Sequence, residues 1–304
     1  MSPWRKLRLL IENPFQLWIF FANRGFFNYM DDEKYLRYRY RCLMRKKLSL
    51  ERPRSFNEKI QWLKLYDRKP IYNSMVDKYE AKNYVGDLIG EQYIIPTYGV
   101  WNNFDEIDFD SLPDQFVIKC THDSGGIVIV RDKNKFDKEH AKKVIERALN
   151  KDFYLIGREW PYKDLEHRII IEKYISNRDN DLGLIDYKFY CFNGEPKFLY
   201  ISAGLEDHDK ARISFVSLEW ERLPFYRTDF KQFEQLPEKP TNYEEMIHIC
   251  KKLAEGIRFI RVDLYEIDNR IYFSELTFHP CSGFMPLNDE KYDLEIGEML
   301  ELSK

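Results

Sequence analysis

The pattern of hydrophobic and polar positions predicts helices in the first part of the chain. Ser55-Phe56-Asn57-Glu58 matches a capping box and precedes the helically spaced run EKIQWLKLY. The later run VDKYEAKNYV has helical spacing as well. We therefore expect a mainly helical N-terminal region.

From Tyr93 onward, short apolar runs predict strands. They are YIIP, FVIK, IVIV, RIIIEKYI, DYKFYCF, KFLYIS and the two halves of FIRVDLYEIDNRIYFSELTF. Helices are expected at 137–151, at about 242–255 and in the acidic C-terminal segment, and Asn193-Gly194 marks a hairpin. Helices and mostly hairpin-linked strands alternate in blocks. This pattern favours an α+β or mixed α/β architecture over a doubly wound parallel sheet.

The stretch VIKCTHDSGGIVIV joins two apolar runs, which are predicted buried strands, through a loop of glycine and small polar residues. Lys119 lies inside the first run, where a charge is unfavourable unless it is paired. Glycine allows backbone N–H groups to approach an anion, and lysine supplies a point charge, so the stretch is a candidate phosphate site. Glycine and serine are also common in tight turns that bind nothing. The chain has no G-x-x-x-x-G-K-[ST] sequence, which excludes a P-loop.

The run RVDLYEIDNRIYFSEL predicts a hairpin with opposed carboxylates. A loop of Asp268-Asn269-Arg270 centred on Asn269 places Asp263 opposite Glu275 and Arg261 opposite Thr277, all on one face. Opposed carboxylates repel each other unless a cation lies between them, and oxygen ligands favour magnesium. The alternative is a solvent-facing amphipathic hairpin. The other face is apolar enough to be the buried one, with Val262, Leu264, Ser274 and Leu276.

Composition narrows the range of partners. The 304 residues are 44% hydrophobic, enough for a sizeable core, and 48 basic against 51 acidic side chains give no global attraction to nucleic acid or anionic membranes. Cys120 and His122 lack a second close pair, so no zinc site is expected. Scattered cysteines without a Cys-x-x-Cys pair fit reduced thiols in a cytosol. They are Cys42, Cys120, Cys191, Cys250 and Cys281.

Two N-terminal features concern larger partners. From Lys34 to Arg54 there are nine basic residues and one acidic residue, which form a patch for an anionic glycan or lipid phosphate, or a solvated helix face. The aromatic N-terminus has no apolar run long enough for a signal-peptide core or a membrane span. We expect it to pack on the core or to lie on a membrane surface.

As an ordered set, these runs resemble the ATP-grasp superfamily, and within it the TupA-like branch of bacterial capsule and teichuronopeptide biosynthesis. The resemblance covers nearly the whole chain after about residue 30, through PRSFNEKIQWLKLYDRKP, VDKYEAKNYV, LPDQFVIKCTHDSGG, RIIIEKYI, RVDLYEI and SELTFHPCSGF. It implies an α+β ATP-grasp fold in three parts. These are a mainly helical N-terminal lobe (1–95), a small α+β lid with a phosphate loop (96–180), and a central antiparallel sheet with flanking helices and a magnesium site (181–304).

The resemblance also implies a site for ATP and Mg²⁺. Thr277 departs from the asparagine of many members, and Arg261 is the implied catalytic residue, which stabilises a tetrahedral oxyanion. Lys78 can also be interpreted as a solvated helix lysine, and Asp186 as an ordinary residue at a strand start. The implied phosphate contacts are Lys78, Lys119, Ser124, Gly125, Gly126 and Lys188; adenine contacts are Glu172, Lys173, Tyr174 and Ile175; the ribose ligand is Asp186; and magnesium ligands are Asp263, Glu275 and Thr277.

The implied reaction is ATP-dependent amide formation through an acyl phosphate. For this branch it joins an amino acid or peptide to a uronic acid of a bacterial surface polysaccharide or its lipid-linked precursor, and His279 and Ser282 are candidates for the acceptor pocket. The alternatives are a capsular glycosyltransferase and a binding module without turnover. The expected location is the cytoplasm or the inner face of the cell membrane, and no nucleic-acid partner is expected.

Overall fold

The computed structural model describes residues 13–123, 125–176, 183–205 and 209–302. Ser124, one of the predicted loop residues, lies outside this part of the chain. The described helices surround two antiparallel sheets, one of four strands and one of five. The predicted α+β architecture is therefore confirmed.

The N-terminal region is helical, as predicted. The capping box is present, because Ser55 Oγ accepts the N–H of Glu58 and the Glu58 carboxylate accepts the N–H of Ser55. The run VDKYEAKNYV does not form one helix, since Asp77 ends one helix and its side chain accepts the first N–H groups of the next. The helices are α1 Pro14–Ala22, α2 Asp32–Met44, α3 Phe56–Tyr66, α4 Ile71–Val76 and α5 Glu80–Ile89.

The four-stranded sheet has the order β1-β4-β2-β3. Its interior strand β2 is buried except at Lys119, whereas the edge strand β3 exposes 48% of Ile127. The prediction of a buried strand is therefore correct for the first run and wrong for the second. The elements are β1 Thr97–Trp101, β2 Phe116–Cys120, β3 Ile127–Val130, α6 Lys138–Leu149, α7 Phe153–Gly157 and β4 Ile169–Lys173.

The predicted strand YIIP is not a strand. Glu91–Tyr93 form a short 3-10 helix, and the first strand begins at Thr97, directly after Pro96. Proline has no N–H to donate to a ladder, which favours its place ahead of the strand. The carbonyl of Pro96 still accepts the N–H of Lys173, the last residue of β4.

The five-stranded sheet has the order β7-β6-β5-β8-β9 and separates two apolar cores. Helix α8 packs on one face, and α3 and α9 pack on the other. That second face is apolar at Tyr190 and Phe259 and becomes charged at Lys188, Arg261 and Asp263. The elements are β5 Asp186–Phe192, β6 Glu195–Ala203, β7 Arg212–Ser217, α8 Tyr243–Ala254, β8 Phe259–Ile267, β9 Arg270–Thr277 and α9 Glu290–Glu298.

The hairpin of β8 and β9 has the predicted pairing but a different turn. Asp263 lies opposite Glu275 and Arg261 lies opposite Thr277, as predicted. The turn contains only Asp268 and Asn269, with φ of 51° and 57°, because Arg270 already pairs with Ile267. A two-residue turn alone would shift the pairing by one residue.

A β-bulge compensates for the shorter turn. The register changes between Asp263 and Leu264, so that Leu264 faces Phe273. Ser274 is the extra residue, and its hydroxyl donates to Tyr265 Oη at 3.1 Å. The prediction that Ser274 lies on the apolar face is therefore wrong, because Phe273 takes that place in the core.

Other local predictions are confirmed. Asn193 and Gly194, with φ of 50° and 87°, form the turn between β5 and β6. The predicted helices at 137–151 and 242–255 are α6 and α8. The three lobes 1–95, 96–180 and 181–304 stay a prediction. Among the helices of the described residues, none is long and apolar enough to cross a membrane.

Candidate functional site

Four predicted residues of β8 and β9 come together around one guanidinium group. Arg261 Nε and Nη2 donate to Asp263 Oδ1 and Oδ2 at 2.7 and 2.6 Å. Nη2 also lies 2.9 Å from Glu275 Oε1 and 3.0 Å from Thr277 Oγ1. The bulge and the pairing of the two strands therefore place two carboxylates and a hydroxyl within hydrogen-bond distance of the Arg261 guanidinium.

The neighbouring strand β5 extends this cluster. Lys188 pairs with Asp263 across the strands, and its Nζ lies 2.5 Å from Asp263 Oδ2 and 2.6 Å from Asp186 Oδ2. Three carboxylates and two cations thus alternate along the face, which leaves the cluster with a net charge of −1. We call these residues the carboxylate row: Asp186, Lys188, Asp263, Arg261 and Glu275.

Burial and charge act in opposite directions within the carboxylate row. Burial disfavours the ionised form of Asp263, but Arg261 and Lys188 outweigh it and lower the pKa of Asp263. For Asp186, burial prevails over Lys188, and the nearby Asp263 adds to it, so the pKa rises to about 6. Asp186 Oδ1 is buried and has no hydrogen-bond partner among the described residues. The row therefore holds an acceptor that a ligand could satisfy.

The donor set fits a hard cation only in part. Asp263 and Glu275 offer carboxylate oxygens and Thr277 a hydroxyl, the ligand types that Mg²⁺ prefers. However, both oxygens of Asp263 accept from Arg261, and the described residues contain no group of three or more His, Cys, Asp or Glu that could hold a metal. Mg²⁺ commonly binds through one or two carboxylates together with phosphate oxygens and water. The residues therefore suit a magnesium ion that arrives with a phosphate ligand.

The predicted phosphate lysine of the four-stranded sheet is paired with a buried glutamate. Lys119 Nζ lies 2.5 Å from Glu172 Oε2, and Lys82 Nζ lies 2.7 Å from Glu172 Oε1. Strands β2 and β4 and helix α5 meet at this point. The Lys119 side chain retains 22% of its exposure, so it can reach a ligand, whereas Glu172 is almost fully enclosed.

Lys82 is a residue that the sequence analysis missed. Its ammonium also donates to the carbonyl of Ile95 and to Thr97 Oγ1, at 2.6 and 2.9 Å. A signal was available, because Lys82 shares the buried side of α5 with Ala81 and Val85. A lysine on an apolar helix side predicts a buried partner.

The two lysines control the ionisation of Glu172. Burial alone would disfavour the carboxylate, but the ammonium groups of Lys119 and Lys82 outweigh it and lower the pKa of Glu172 to about 2. Glu172 is therefore an anion at neutral pH. A phosphate group that binds Lys119 would have to share this lysine with the glutamate.

Lys78 contacts the predicted phosphate loop. Its N–H donates to the carbonyl of Thr121 at 3.0 Å and its ammonium donates to the carbonyl of Asp123. Lys78 lies between α4 and α5 and is partly buried, so the alternative of a solvated helix lysine is wrong.

The two glycines of the loop differ in their surroundings. A Cβ at Gly126 would lie 2.4 Å from the Cβ of Ala148. The N–H of Gly126 already donates to the carboxylate of Asp123. A Cβ at Gly125 would meet nothing nearer than 4.0 Å. Gly126 is thus required for packing, and Gly125 is the glycine that a ligand can approach.

The predicted adenine segment begins at Glu172, near the end of β4, and continues to Ile175. Lys173 is exposed, and its N–H is taken by the carbonyl of Pro96 at 2.9 Å. Tyr174 Oη accepts from Arg131 Nε at 3.1 Å, and Ile175 is half-buried. The rest of the segment therefore lies beside Lys119 and Glu172, as a continuation of the same strand.

Charges from both groups of residues act on the hydroxyl of Tyr162. Burial raises the pKa of its hydroxyl well above the usual value, and the charges of Glu159, Glu275 and Asp123 add to this shift while Arg261 opposes it. Glu275 on β9 and Asp123 in the loop that follows Lys119 therefore shift the pKa of the same hydroxyl in the same direction.

A further buried cluster lies next to the end of β9, where the sequence indicated His279 and Ser282 but not Lys64 or Glu159. Lys64 is fully buried, and its Nζ donates to the carbonyl of Gly157 at 2.8 Å and to the carbonyl and hydroxyl of Ser282 at 2.8 and 2.9 Å. His279 Nδ1 lies 3.6 Å from Glu159 Oε2. Burial lowers the pKa of Lys64 to about 7, although Glu159 opposes the shift. Helix α3 thereby holds Ser282, one of the two candidate acceptor residues, in place.

The loop at this point is conformationally unusual. Cys281 and Ser282 have φ of 51° and 53°, a left-handed region that non-glycine residues seldom adopt. Such conformations persist when surrounding contacts enforce them. The bonds from Lys64 to Ser282 supply such contacts.

One known protein family matches most of the chain. Residues 58–301 match a family model described as TupA-like ATPgrasp. No curated protein sequence matches the chain significantly. D-alanine-D-alanine ligase from Helicobacter pylori is similar at 19% identity and a TM-score of 0.42, and the match covers 82% of this chain and 70% of that one.

Two other solved structures show the same level of similarity. D-alanine-D-alanine ligase from Bacillus anthracis, complexed with ATP, has 16% identity and a TM-score of 0.40 over 67% of this chain and 55% of that one. The ATP-grasp ligase PsnB, complexed with Mg, ADP and a phosphomimetic variant of its minimal precursor, has 8% identity and a TM-score of 0.40 over 73% and 57%. The chain therefore spans little more than half the length of these two proteins, and scores this low assign no reaction to it.

Proposed function

The chain belongs to the TupA-like ATP-grasp family, and from this membership we propose that it is an ATP- and Mg²⁺-dependent carboxylate–amine ligase. The proposed product is an amide between an amino acid or peptide and a uronic acid of a bacterial surface polysaccharide or its lipid-linked precursor. The proposed place of reaction is the cytoplasm, at the inner face of the cell membrane. The proposed substrates are inferred from membership of the family.

One observation carries the proposal for the reaction. Arg261 holds Asp263, Glu275 and Thr277 within 3.0 Å of its guanidinium on one face of the central sheet. Carboxylates that converge with a hydroxyl suit Mg²⁺ bound to a nucleotide phosphate. A rigid guanidinium beside them suits the oxyanion of acyl transfer.

The proposed chemistry consists of two displacements. A substrate carboxylate oxygen attacks the γ-phosphorus of ATP, the bond to ADP breaks, and an acyl phosphate forms. The amine nitrogen then attacks the acyl carbon, loses its proton and expels phosphate. When bound at Asp263, Glu275 and Thr277, Mg²⁺ would neutralise charge on the transferring phosphoryl group.

The side chains of this chain have separate tasks in the proposal. Lys119 binds phosphate as a point charge, and Lys78 holds the adjacent loop through the Asp123 carbonyl. Lys188 keeps Asp186 and Asp263 from repelling each other. Arg261 donates to the oxyanion that forms when the amine adds to the acyl group.

Calorimetric titration with a non-hydrolysable ATP analogue, with and without Mg²⁺, tests the proposal. We expect magnesium-dependent binding that Asp263→Asn and Lys119→Ala both weaken by about tenfold or more. Matched controls are Asp268→Asn, in the turn of the same hairpin, and Lys135→Ala, an exposed lysine of the 96–180 segment. Both controls should bind the analogue as the wild type does.

A second arm separates ligase from glycosyltransferase. A UDP-sugar should neither bind nor displace the ATP analogue. Phosphate release from ATP is then screened with pairs of amino acids and uronic acids, such as glutamate with glucuronate or galacturonate. If the protein binds the UDP-sugar and does not bind the ATP analogue, the ligase proposal is wrong.

A further inference from the structure

Helix α2 presents a basic surface to solvent. Lys34, Tyr38 and Arg41 follow at helical spacings of four and three residues, Arg45 comes directly after the last helical residue, and all four are exposed. The opposite side of the helix, including Tyr35 and Leu36, is buried. Because residues at such spacings share one side of a helix, the first three form a strip, and Arg45 lies at the C-terminal end of α2.

Aromatic side chains of α1 lie against this strip. Trp18 stacks on Tyr38, with ring centroids 6.3 Å apart and an angle of 22° between the ring planes. The guanidinium carbon of Arg45 lies 4.3 Å from the ring centroid of Phe15. Aromatic rings and cations therefore interleave on a surface that we call the α1/α2 surface: Phe15, Trp18, Lys34, Tyr38, Arg41 and Arg45.

The cations of this surface are not neutralised from within the described part of the chain. No carboxylate of the described residues lies within ion-pair distance of Lys34, Arg41 or Arg45. The nearby acidic residues are engaged elsewhere, since Glu33 pairs with Arg37 and Asp32 pairs with other arginines. The surface thus has a local positive charge, although the whole chain has a net charge of −3.

The adjoining helix α1 is strongly apolar. Eight of the nine residues in PFQLWIFFA are apolar, and only Ala22 is buried. In the turn that follows, Phe26 is 66% exposed and Tyr29 is fully exposed. Half-exposed aromatic rings next to arginine and lysine are typical of segments that lie at a lipid interface.

We propose that the α1/α2 surface docks the protein on an anionic lipid membrane. Lysine and arginine are attracted to anionic headgroups, and aromatic rings insert at the headgroup level. An anionic glycan would satisfy the cations as well, but it offers no apolar phase for the half-exposed rings of α1 or for the exposed ring of Phe26. The lipid surface accounts for both features.

The inner side of α2 connects this surface to the candidate acceptor end of the site. Tyr154 Oη donates to Asp32 at 2.7 and 2.8 Å, and Tyr35 Oη donates to the carbonyl of Ile156 at 3.0 Å. The segment that these bonds hold continues to Glu159, beside His279. Docking would therefore place that end of the site close to the membrane. Docking agrees with the membrane location named in the proposed function, but it requires no turnover and is tested without the ligase reaction.

Vesicle co-sedimentation tests the proposal, with vesicles of phosphatidylcholine alone and of phosphatidylcholine mixed with phosphatidylglycerol. The wild type should bind only the phosphatidylglycerol vesicles. The double variant Lys34→Glu/Arg41→Glu should weaken this binding by about tenfold or more, and Tyr38→Ala by roughly threefold. The matched control Lys143→Glu/Arg147→Glu makes the same charge change at exposed positions of α6 and should bind as the wild type does.

Titration with the ATP analogue accompanies each variant and should be unchanged, which shows that the fold and the distant site are intact. The docking proposal is wrong if the wild type does not bind phosphatidylglycerol vesicles. It is also wrong if Lys143→Glu/Arg147→Glu weakens vesicle binding as much as Lys34→Glu/Arg41→Glu does. Soluble alginate, a polyuronate, distinguishes the glycan. If alginate binds in a Lys34- and Arg41-dependent manner while vesicles do not bind, the surface belongs to an anionic glycan and the membrane proposal is wrong.

Discussion

Lys119 Nζ lies 2.5 Å from Glu172 Oε2, although the sequence predicts this lysine as a phosphate ligand. The second carboxylate oxygen of Glu172 is held by Lys82 at 2.7 Å. Two lysines and one glutamate leave a net charge of +1 beside the predicted phosphate loop. A bound phosphate would be attracted by this surplus, and Glu172 would remain paired with Lys82 when Lys119 turns to the ligand.

The first prediction concerns acid stability and Glu172→Gln. The folded-state pKa of Glu172 is about 2 against a reference of 4.5, so its ionised form stabilises the fold above about pH 4.5. This contribution, about 3 kcal/mol, should be lost as the pH falls from about 4.5 to about 2. Glu172→Gln should lack that part of the pH dependence and should already be less stable at neutral pH, because Lys82 loses its buried partner.

Urea unfolding at about pH 6 and about pH 3.5 measures this difference. Glu238→Gln, at an exposed position, is the matched control and should follow the wild type at both pH values. If the unfolding free energy of Glu172→Gln falls with pH as steeply as that of the wild type, the ion pairs of Glu172 do not carry the effect.

The second prediction concerns Lys188→Met. Lys188 lies between Asp186 and Asp263, and its removal leaves two buried carboxylates facing each other. Breaking a buried ion pair by removing one partner typically destabilises a protein by ~3 to 5 kcal/mol. Urea unfolding should show this loss, whereas Lys197→Met, on the exposed side of β6, should change the unfolding free energy by less than about 1 kcal/mol. Equal effects of both variants would contradict the structural role of Lys188.

The third prediction separates the two loop glycines. Gly126→Ala should destabilise the fold by about 1 to 3 kcal/mol, because its Cβ would overlap that of Ala148. Gly125→Ala should leave thermal stability unchanged, since its surroundings are open. If phosphate binds at this loop, Gly125→Ala should weaken the binding of the ATP analogue, as measured by calorimetry. Equal melting temperatures for both variants would contradict the packing role of Gly126.

The sequence predicted the opposed residues of the β8/β9 hairpin better than its turn. Alternation of side chains and an expected loop of Asp268-Asn269-Arg270 paired Asp263 with Glu275. The bulge at Ser274 was not visible in the pattern, because an extra residue alters backbone pairing without changing composition. The predicted pairing is correct because the shorter turn and the bulge offset each other.

Long-range pairs could not be predicted. Lys64 bonds to a residue 218 positions away, and Lys82 pairs with Glu172 across 90 positions. Periodicity describes which side of an element is buried, but not what lies opposite that side. The strand errors have a local cause, since apolar composition does not distinguish an edge strand such as β3, or a segment ending in Pro96, from an interior strand.

The fourth prediction concerns Thr277, which accepts from Arg261 and whose hydroxyl lies 3.4 Å from Glu275 Oε1. Thr277→Val keeps the shape of the side chain and removes its oxygen. If this oxygen supports Mg²⁺, Thr277→Val should weaken magnesium-dependent binding of the ATP analogue by about tenfold, while Thr277→Asn retains it. Ser217→Ala, at the far edge strand of the same sheet, is the control. Full affinity in Thr277→Val would remove Thr277 from the ligand set.

The fifth prediction concerns alkaline stability and Lys64. Its pKa falls from 10.5 to about 7 in the folded state, so between these values the unfolded chain binds more protons than the folded one. Stability should therefore rise with pH across this window. Lys64→Met should lack the rise and should be less stable throughout, by about 2 kcal/mol or more, because the carbonyls of Gly157 and Ser282 lose their donor.

Urea unfolding at about pH 7 and about pH 9.5 tests this sign, with the exposed Lys47→Met as the matched control. The control should keep the rise with pH that the wild type shows. A rise of the same size in Lys64→Met would assign the pH dependence to another group.

A second variant tests the bonds from Lys64 to Ser282, which hold Ser282 in a left-handed conformation. Ser282→Gly, which relaxes that conformation, should recover part of the stability that Lys64→Met loses, because glycine adopts positive φ without strain.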